Sequence, residues 1–329
     1  MTLRFVACVE AGRLEGETLL LCDSIRRFGG AHAASRISAY RPREGEPLSA
    51  ATRDRLAALD VELIEDPLNR EHAYYPLANK VYAAAHAEST TEQETIVVCD
   101  SDAVFLSEPG ELALAPGIAA AAAPVGRVGD GSTGPGHDND PYWERLYELA
   151  GASERPFTET ALRGRRIRAY WNTGLVALRR DAGLGQQWLD ILKTLIAERH
   201  FPERGIDHVE QLALAAALAR SVGEVAKLSP AYNYRITRRD RLRGPAAELD
   251  LPDIAHVHYM RSFHVRGFLE TLEPPLDRKS EQFRWLGERL PLKPEIVLSA
   301  ADSGPIWKRI RNAAEGQLER RSFDTGPEA

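Results

Sequence analysis

Along its first hundred residues the chain alternates between two spacings of apolar side chains, and that alternation sets the fold class. Short continuous apolar runs at 4–9, 36–40, 61–64 and 95–99 read as strands, while 17–28, 49–59 and 75–88 space their apolar positions as helices do. Strands that alternate with helices predict parallel strands joined by crossover helices, an α/β class. The same signals recur further on. A strand narrowed by alanines is expected at 117–125, a strand-like run interrupted by polar Asn172, Thr173 and Gly174 after Arg168, helices at 184–198 and 207–220, and a short strand at 253–259. Between them, 126–141 is so dense in glycine and proline that it predicts a mobile loop, either a lid or a disordered insertion. Its His137, Asp138 and Asp140 are expected in solvent and not on a metal. Past residue 265 the prolines 274–275, a helical stretch at 281–290 and a charged tail at 307–321 predict an appended helical region. Residues 324–329 are expected to be disordered.

Composition narrows the function classes without choosing one. With 43% hydrophobic and 27% charged residues and no apolar run near the roughly eighteen needed to cross a bilayer, the chain reads as an ordinary soluble protein. The N-terminal apolar run is too brief for a signal-peptide core, and Cys8, Cys22 and Cys99 have no metal-ligand spacing, so a cytoplasmic location is expected. A net charge of −6 argues against a nucleic-acid-binding surface. Basic residues of the tail are diluted by Glu315 and Glu319, so a solvated face is favoured over peripheral membrane contact.

The chemistry concentrates at 95–102, where an apolar strand runs into Asp100 and Asp102. Side chains two apart in an extended chain point the same way, so both carboxylates can converge on one hard cation such as Mg²⁺ or Mn²⁺. The same Asp-Ser-Asp can instead close a strand in an Asx-type turn. In open parallel sheets, however, ligands bind beyond the carboxyl ends of the strands, which is where the pair falls. Gly174 inside a strand-like run suggests close approach of backbone or ligand. In the helix expected at 207–220, Asp207, Glu210 and Gln211 share a face at i, i+3 and i+4, to complement the helix dipole or to face a substrate. His256 and His258 alternate onto one strand face, and one imidazole would complete an Asp-x-Asp shell.

Taken in order, the strand ending in Asp-Ser-Asp, the Trp-Asn-Thr-Gly-Leu segment, the Glu-Gln of the later helix and the late His-x-His-Tyr resemble the GT-A fold glycosyltransferases that use nucleotide sugars. The nearest likeness is to the retaining family of glycogenin and the bacterial lipooligosaccharide galactosyltransferases. The resemblance implies a Rossmann-type, mainly parallel sheet flanked by helices over 1–265, carrying donor binding and catalysis, with 266–329 as a helical extension. It implies Mn²⁺ or Mg²⁺ on Asp100, Asp102 and His258, with His256 as the alternative. A nucleotide sugar, UDP favoured, would be held by Glu10, Asn79, Lys80, Asp100, Ser101, Asn172, Thr173 and Gly174. Glu210, Gln211 and Asp207 are the catalytic candidates, and the acceptor is left open. Asn79-Lys80 stands where that family has an arginine, and Arg261, His264 and Arg266 are the candidates to replace its late phosphate-binding lysine. Two other classes stay open: a haloacid-dehalogenase-like phosphatase with Asp100 as nucleophile, or a binding protein without catalysis.

Overall fold

A computed structural model describes residues 2–203, 205–298 and 304–324. Its centre is a seven-stranded sheet in the order β10-β6-β9-β4-β1-β2-β3. The strands are β1 (Leu3–Cys8), β2 (Arg36–Tyr40), β3 (Val61–Ile64), β4 (Thr95–Cys99), β6 (Ile118–Pro124), β9 (Trp171–Arg179) and β10 (Glu224–Lys227). Pairing is parallel from β4 through β1 and β2 to β3 and again between β6 and β10, while β9 runs antiparallel to both β4 and β6. The α/β expectation therefore holds, with β9 as the one reversed strand of this sheet.

The inner strands are largely apolar because both faces of the sheet are covered, while the edge strands β3 and β10 carry Glu62, Glu224 and Lys227. Val6, Ile96, Val98, Val176 and Leu178 point into one core, beneath α3 (Ala78–Thr90), α4 (Asp140–Ala150), α5 (Leu184–Ala197) and α6 (Val209–Arg220). Phe5, Val97, Cys99, Leu175 and Ala177 point into the other, where α1 (Arg13–Phe28) and α2 (Ala50–Ala58) lie. The alternation is the period of two that a pleated strand imposes. Alanines dominate β6 and α6, allowing close approach of helix and sheet.

A two-stranded antiparallel ribbon, β5 (Ala103–Phe105) with β11 (His256–His258), sits over the carboxyl ends of the parallel strands. It organises a third core, which also takes in Leu269, Trp285 of α8 (Glu281–Gly287), and Ile310 and Ala314 of α9 (Ile306–Asp324). The appended region thus packs on the body of the protein. A second ribbon, β7 (Phe157–Glu159) with β8 (Arg166–Arg168), and the short α7 (Pro245–Glu248) complete the fold. Among the described residues no helix is long and apolar enough to cross a membrane. The tail residues 325–329 lie outside the described residues.

Three expectations need correction. The glycine-rich segment before α4 is ordered, because its backbone is tied into neighbouring elements. Arg168 donates its amide to Ser132 O at 2.7 Å, and the Asn139 amide and Trp143 indole both donate to Asp130 O. Asp140 is buried, not solvated: it accepts from Ser132 Oγ at 2.6 Å and from both Nε and Nη2 of Arg168 at 3.0 Å. Asn172, Thr173 and Gly174 do not interrupt a strand; they lie inside the nine-residue β9.

Candidate metal and donor site

Asp100 and Asp102 follow β4 directly, and the chain then continues into β5, whose partner is β11. The ribbon's register sets His258 opposite Ala103, and the Tyr259 amide donates to Asp102 O at 3.1 Å. A residue distant in sequence is thereby delivered to the Asp pair by backbone pairing. His258 Nε2 stands 3.2 Å from Asp102 Oδ1 and 3.9 Å from Asp100 Oδ2, and one ligand atom from each of the three lies within 4.8 Å of the others.

This donor set fits a divalent cation. Two carboxylates and an imidazole suit Mg²⁺ or Mn²⁺, and all three side chains are half-buried, Asp100 and His258 lining one cavity and Asp102 an adjoining one. The second imidazole nitrogen is also provided for: His258 Nδ1 is 3.2 Å from Asn233 Oδ1, a pairing that favours the proton on Nδ1 and would leave Nε2 available to a cation. Asn233 is oriented in turn by Asn172, whose Oδ1 accepts from Asn233 Nδ2 and from the Gly174 amide, both at 2.9 Å. Burial lowers the His258 pKa and the neighbouring Asp102 and Asp100 outweigh it, so the imidazole is raised above its usual value. Burial likewise opposes ionisation of Asp102, but the His258 charge and hydrogen bond hold the carboxyl low, at about 2.

Gly174 is explained by this arrangement. A Cβ there would stand 2.7 Å from His258 Nδ1 and 2.9 Å from Asn172 Oδ1, so the histidine rests directly on its backbone. The Gly174 carbonyl accepts from the Asp100 amide at 2.9 Å, tying β9 to the Asp pair. His256, by contrast, turns into the core, fully buried with its ring edge-on to Phe105 at 4.9 Å, and burial lowers its pKa to about 3. Of the two histidines, His258 is the one at the carboxylates.

A cavity of about 460 Å³ opens in front of this triad. Lys80, Asp100, Asn172, Thr173, Glu210, Gln211 and His258 line it. Lys80 is nearly buried and ion-paired with Asp100; burial works against its charge, and Asp100, Glu210 and Asp102 restore it, leaving its pKa raised. The Glu210 carboxylate accepts from Tyr75 Oη on one oxygen and from Thr173 Oγ1 at 3.3 Å on the other. Asn172 donates to Gln211 Oε1 at 3.2 Å.

Other candidates are placed elsewhere. Helix α6 begins at Val209, after His208 in a left-handed conformation (φ 68), so Asp207 precedes the helix, is exposed, and does not share the face of Glu210 and Gln211. Glu10 is engaged by Arg43 and by Asn79 Nδ2 at 2.8 Å, while Asn79 Oδ1 accepts from Asn69 at 2.8 Å; neither Glu10 nor Asn79 lines the cavity. Ser101 donates its hydroxyl to Cys8 O, which fixes the Asp-Ser-Asp turn on β1. His264 is buried against Glu17 at 2.8 Å and Arg266 is paired with Glu295 at 2.9 Å on the surface, so only Arg261 of that trio stays near the triad. The three cysteines are free, and burial pushes the Cys8 and Cys22 thiols up to about 12.

The structure also brings in residues that pattern reading passed over: Tyr75, Asp130, and the arginines 127, 235 and 238. His208, Asn233 and Met260 all carry positive φ, at 68, 50 and 55; His208 and Met260 line the cavity, and Asn233 stands behind it against His258. Strained non-glycine backbone of this kind clusters at functional sites.

The chain is similar to known glycosyltransferases. The model of the Rhodobacterales glycosyltransferase domain family matches residues 5–222. No curated protein sequence matches. Among solved structures, the galactosyltransferase LgtC, in complex with donor and acceptor sugar analogues, is 15% identical over 94% of this chain and 100% of that one, with a TM-score of 0.50. GlyE of Streptococcus pneumoniae TIGR4 is 13% identical over 97% of this chain and 64% of its own, TM-score 0.49. The bifunctional glycosyltransferase WbbM is 12% identical over 88% of this chain, TM-score 0.47, and this chain spans 52% of its length. The likeness to LgtC shows the fold, a GT-A-like one.

Proposed function

The chain belongs to the Rhodobacterales glycosyltransferase family, and from that premise we propose that it moves a sugar from a nucleotide diphosphate sugar, UDP-linked, to an acceptor hydroxyl, with Mn²⁺ or Mg²⁺ held by Asp100, Asp102 and His258. Family membership replaces the phosphatase reading of Asp100. The observation that carries the proposal is the register of the β5–β11 ribbon, which sets an imidazole beside two carboxylates at the carboxyl ends of parallel strands.

Cleaving the bond from anomeric carbon to phosphate leaves negative charge on the diphosphate. A divalent ion on the triad supplies the counter-charge when bound. Lys80, desolvated and held at the Asp100 carboxylate, adds a fixed positive charge on the same wall. The anomeric carbon becomes positive as the bond lengthens, and Glu210 is the carboxylate placed to stabilise it, fixed by Tyr75 and Thr173 so that little reorganisation is required. Gln211 and Asn172, hydrogen-bonded to each other on the cavity wall, supply polar groups for the donor sugar hydroxyls. The ordered loop at 125–130 forms part of the cavity wall.

The test is release of UDP from a panel of UDP-sugars with and without Mn²⁺. Asp102→Ala should remove Mn²⁺-dependent turnover while the melting transition stays cooperative, and an Asp102→Ala chain as active as wild type defeats the assignment.

A further inference from the structure

Many arginines of this chain are ion-paired to carboxylates, among them Arg4, Arg36, Arg43, Arg53, Arg168 and Arg289. The cavity that Asp100 lines has a cationic wall without such partners. Arg127, Arg235 and Arg238 line it together, and none has a carboxylate within ion-pair distance among the described residues. The acids that share the cavity are already engaged: Asp100 with Lys80, Glu210 with Tyr75 and Thr173, and Asp130 with His208 at 3.4 Å.

The guanidiniums are held there by the fold. Gly126 makes room for Arg235, since a Cβ at that position would stand 3.3 Å from the guanidinium carbon. Arg238 lies over the Trp307 ring of α9 at 3.6 Å, and its buried Nη1 has no hydrogen-bond partner. Burial together with the charges of Arg127, Arg241 and Arg235 lowers the Arg238 pKa to about 10, and burial with Arg127 lowers that of Arg235. Clustered, partly desolvated cations without counter-charge are costly to keep, and an anion relieves that cost through charge-assisted hydrogen bonds.

The cluster also reaches into a second cavity. This cavity, of about 560 Å³, shares Thr237, Arg238 and Met260 with the first, touches Asp102, and continues past Arg261 toward α9. Met260, strained at φ 55 and 54% exposed, stands at the junction. Arg13 and Arg311 on the far walls have partners, Glu17 and Glu315, whereas Arg261 has no carboxylate partner among the described residues.

We propose that the acceptor is anionic, and that a phosphate or carboxylate it carries close to the accepting hydroxyl is gripped by Arg235 and Arg238, with Arg127 and Arg261 at the edges. The proposal deepens the glycosyltransferase reading and rests on it, because it takes the triad and Lys80 to hold the donor diphosphate.

Three sugars that differ only at carbon six test it: glucose, glucuronic acid and glucose 6-phosphate. Their affinities are measured by calorimetry on the full chain saturated with UDP and Mn²⁺, so that the donor phosphate position is filled. At least one anionic sugar should bind about tenfold or more tightly than glucose, and which of the two is tighter separates carboxylate from phosphate recognition. The double variant Arg235→Gln/Arg238→Gln should erase that preference. Arg127→Gln, at an exposed position that leaves folding intact, should reduce it by a smaller factor. Equal or unmeasurable affinities for the three sugars overturn the proposal. So does a loss of UDP–Mn²⁺ affinity in the arginine variants as large as the loss for the anionic sugar, because the guanidiniums would then serve the donor. If wild type fails to bind UDP with Mn²⁺, the donor reading falls, and the ranking of the three sugars on the unliganded chain still decides the arginine cluster.

Discussion

Replacing Gly174 by alanine tests the metal site without touching a ligand. Gly174 lies within β9 and outside the left-handed region, so alanine is conformationally acceptable there and should slightly stiffen the strand. The obstacle is steric. The new methyl would sit 2.7 Å from His258 Nδ1 and 3.0 Å from Cε1, where ordinary contact begins at 3.4 Å. Asn172 Oδ1, at 2.9 Å, is equally blocked, because it already holds the Gly174 amide and Asn233. The imidazole must therefore retreat from Asp102, to which Nε2 is now 3.2 Å, and it also gives up its bond to Asn233. Loss of a metal ligand's orienting partner typically costs about 10- to 100-fold in metal affinity. Mn²⁺ titrations followed by electron paramagnetic resonance, with UDP present, should show a loss of that size in Gly174→Ala, approaching that of His258→Ala, while the melting temperature changes little. Mn²⁺ binding as tight as wild type in Gly174→Ala, alongside a weakened His258→Ala, would refute the argument that His258 is seated on this glycine.

Three further outcomes follow from other contacts. Tyr75→Phe removes a hydrogen bond to the Glu210 carboxylate and should lower kcat about tenfold or more with a smaller change in KM, measured by UDP release; an unchanged kcat removes Glu210 orientation from the mechanism. Glu62→Ala leaves the buried Arg4 guanidinium without its carboxylate, 3.0 Å away, and should cost about 1–3 kcal/mol in urea unfolding. The hydrogen bonds from Arg168 and Ser132, set against burial, hold the Asp140 carboxyl below its usual range, so its contribution is complete above the unfolded pKa near 4 and is lost as pH falls through the depressed folded value. Asp140→Asn should therefore lower stability at neutral pH and flatten the acid limb of a pH–melting curve; a parallel downward shift at every pH would contradict this.

How much of this was legible in the sequence depended on whether a signal was local. Strands β1, β2, β3 and β4 could be read because each is a short, mainly apolar run, fully buried in β4 and nearly so in β1 and β2, and their ends were nearly right. The Asp pair could be read because the period of a strand places Asp100 and Asp102 together, and Gly174 because glycine in a strand implies close approach, here by His258. What depends on distant partners could not be read. The three-residue strands β5 and β11 are too short to carry a pattern, yet their register is what assembles the triad. The glycine-rich segment looked unable to pack because part of its order comes from the distant Arg168 and from Trp143, in addition to its own Ser132 and Asn139. The first turn of α6 was misjudged because His208 adopts a left-handed conformation that its residue type does not announce. Arg235 and Arg238 carried no local signal, since their place on the cavity wall, with Trp307 of α9 against Arg238, is set by distant parts of the chain.

The β5–β11 ribbon also orders events in time. During synthesis the Asp pair leaves the ribosome roughly 150 residues ahead of His258, a delay of order ten seconds at about 5–20 residues per second. For that interval the parallel strands β1 to β4 can already pair, and the two carboxylates stand without their imidazole. The shell closes only when β11 docks on β5, bringing the third core with it. A nascent or truncated chain that stops before β11 would keep the Asp pair and lack His258, so the Asp–Asp–His cluster forms only once that late segment has been made.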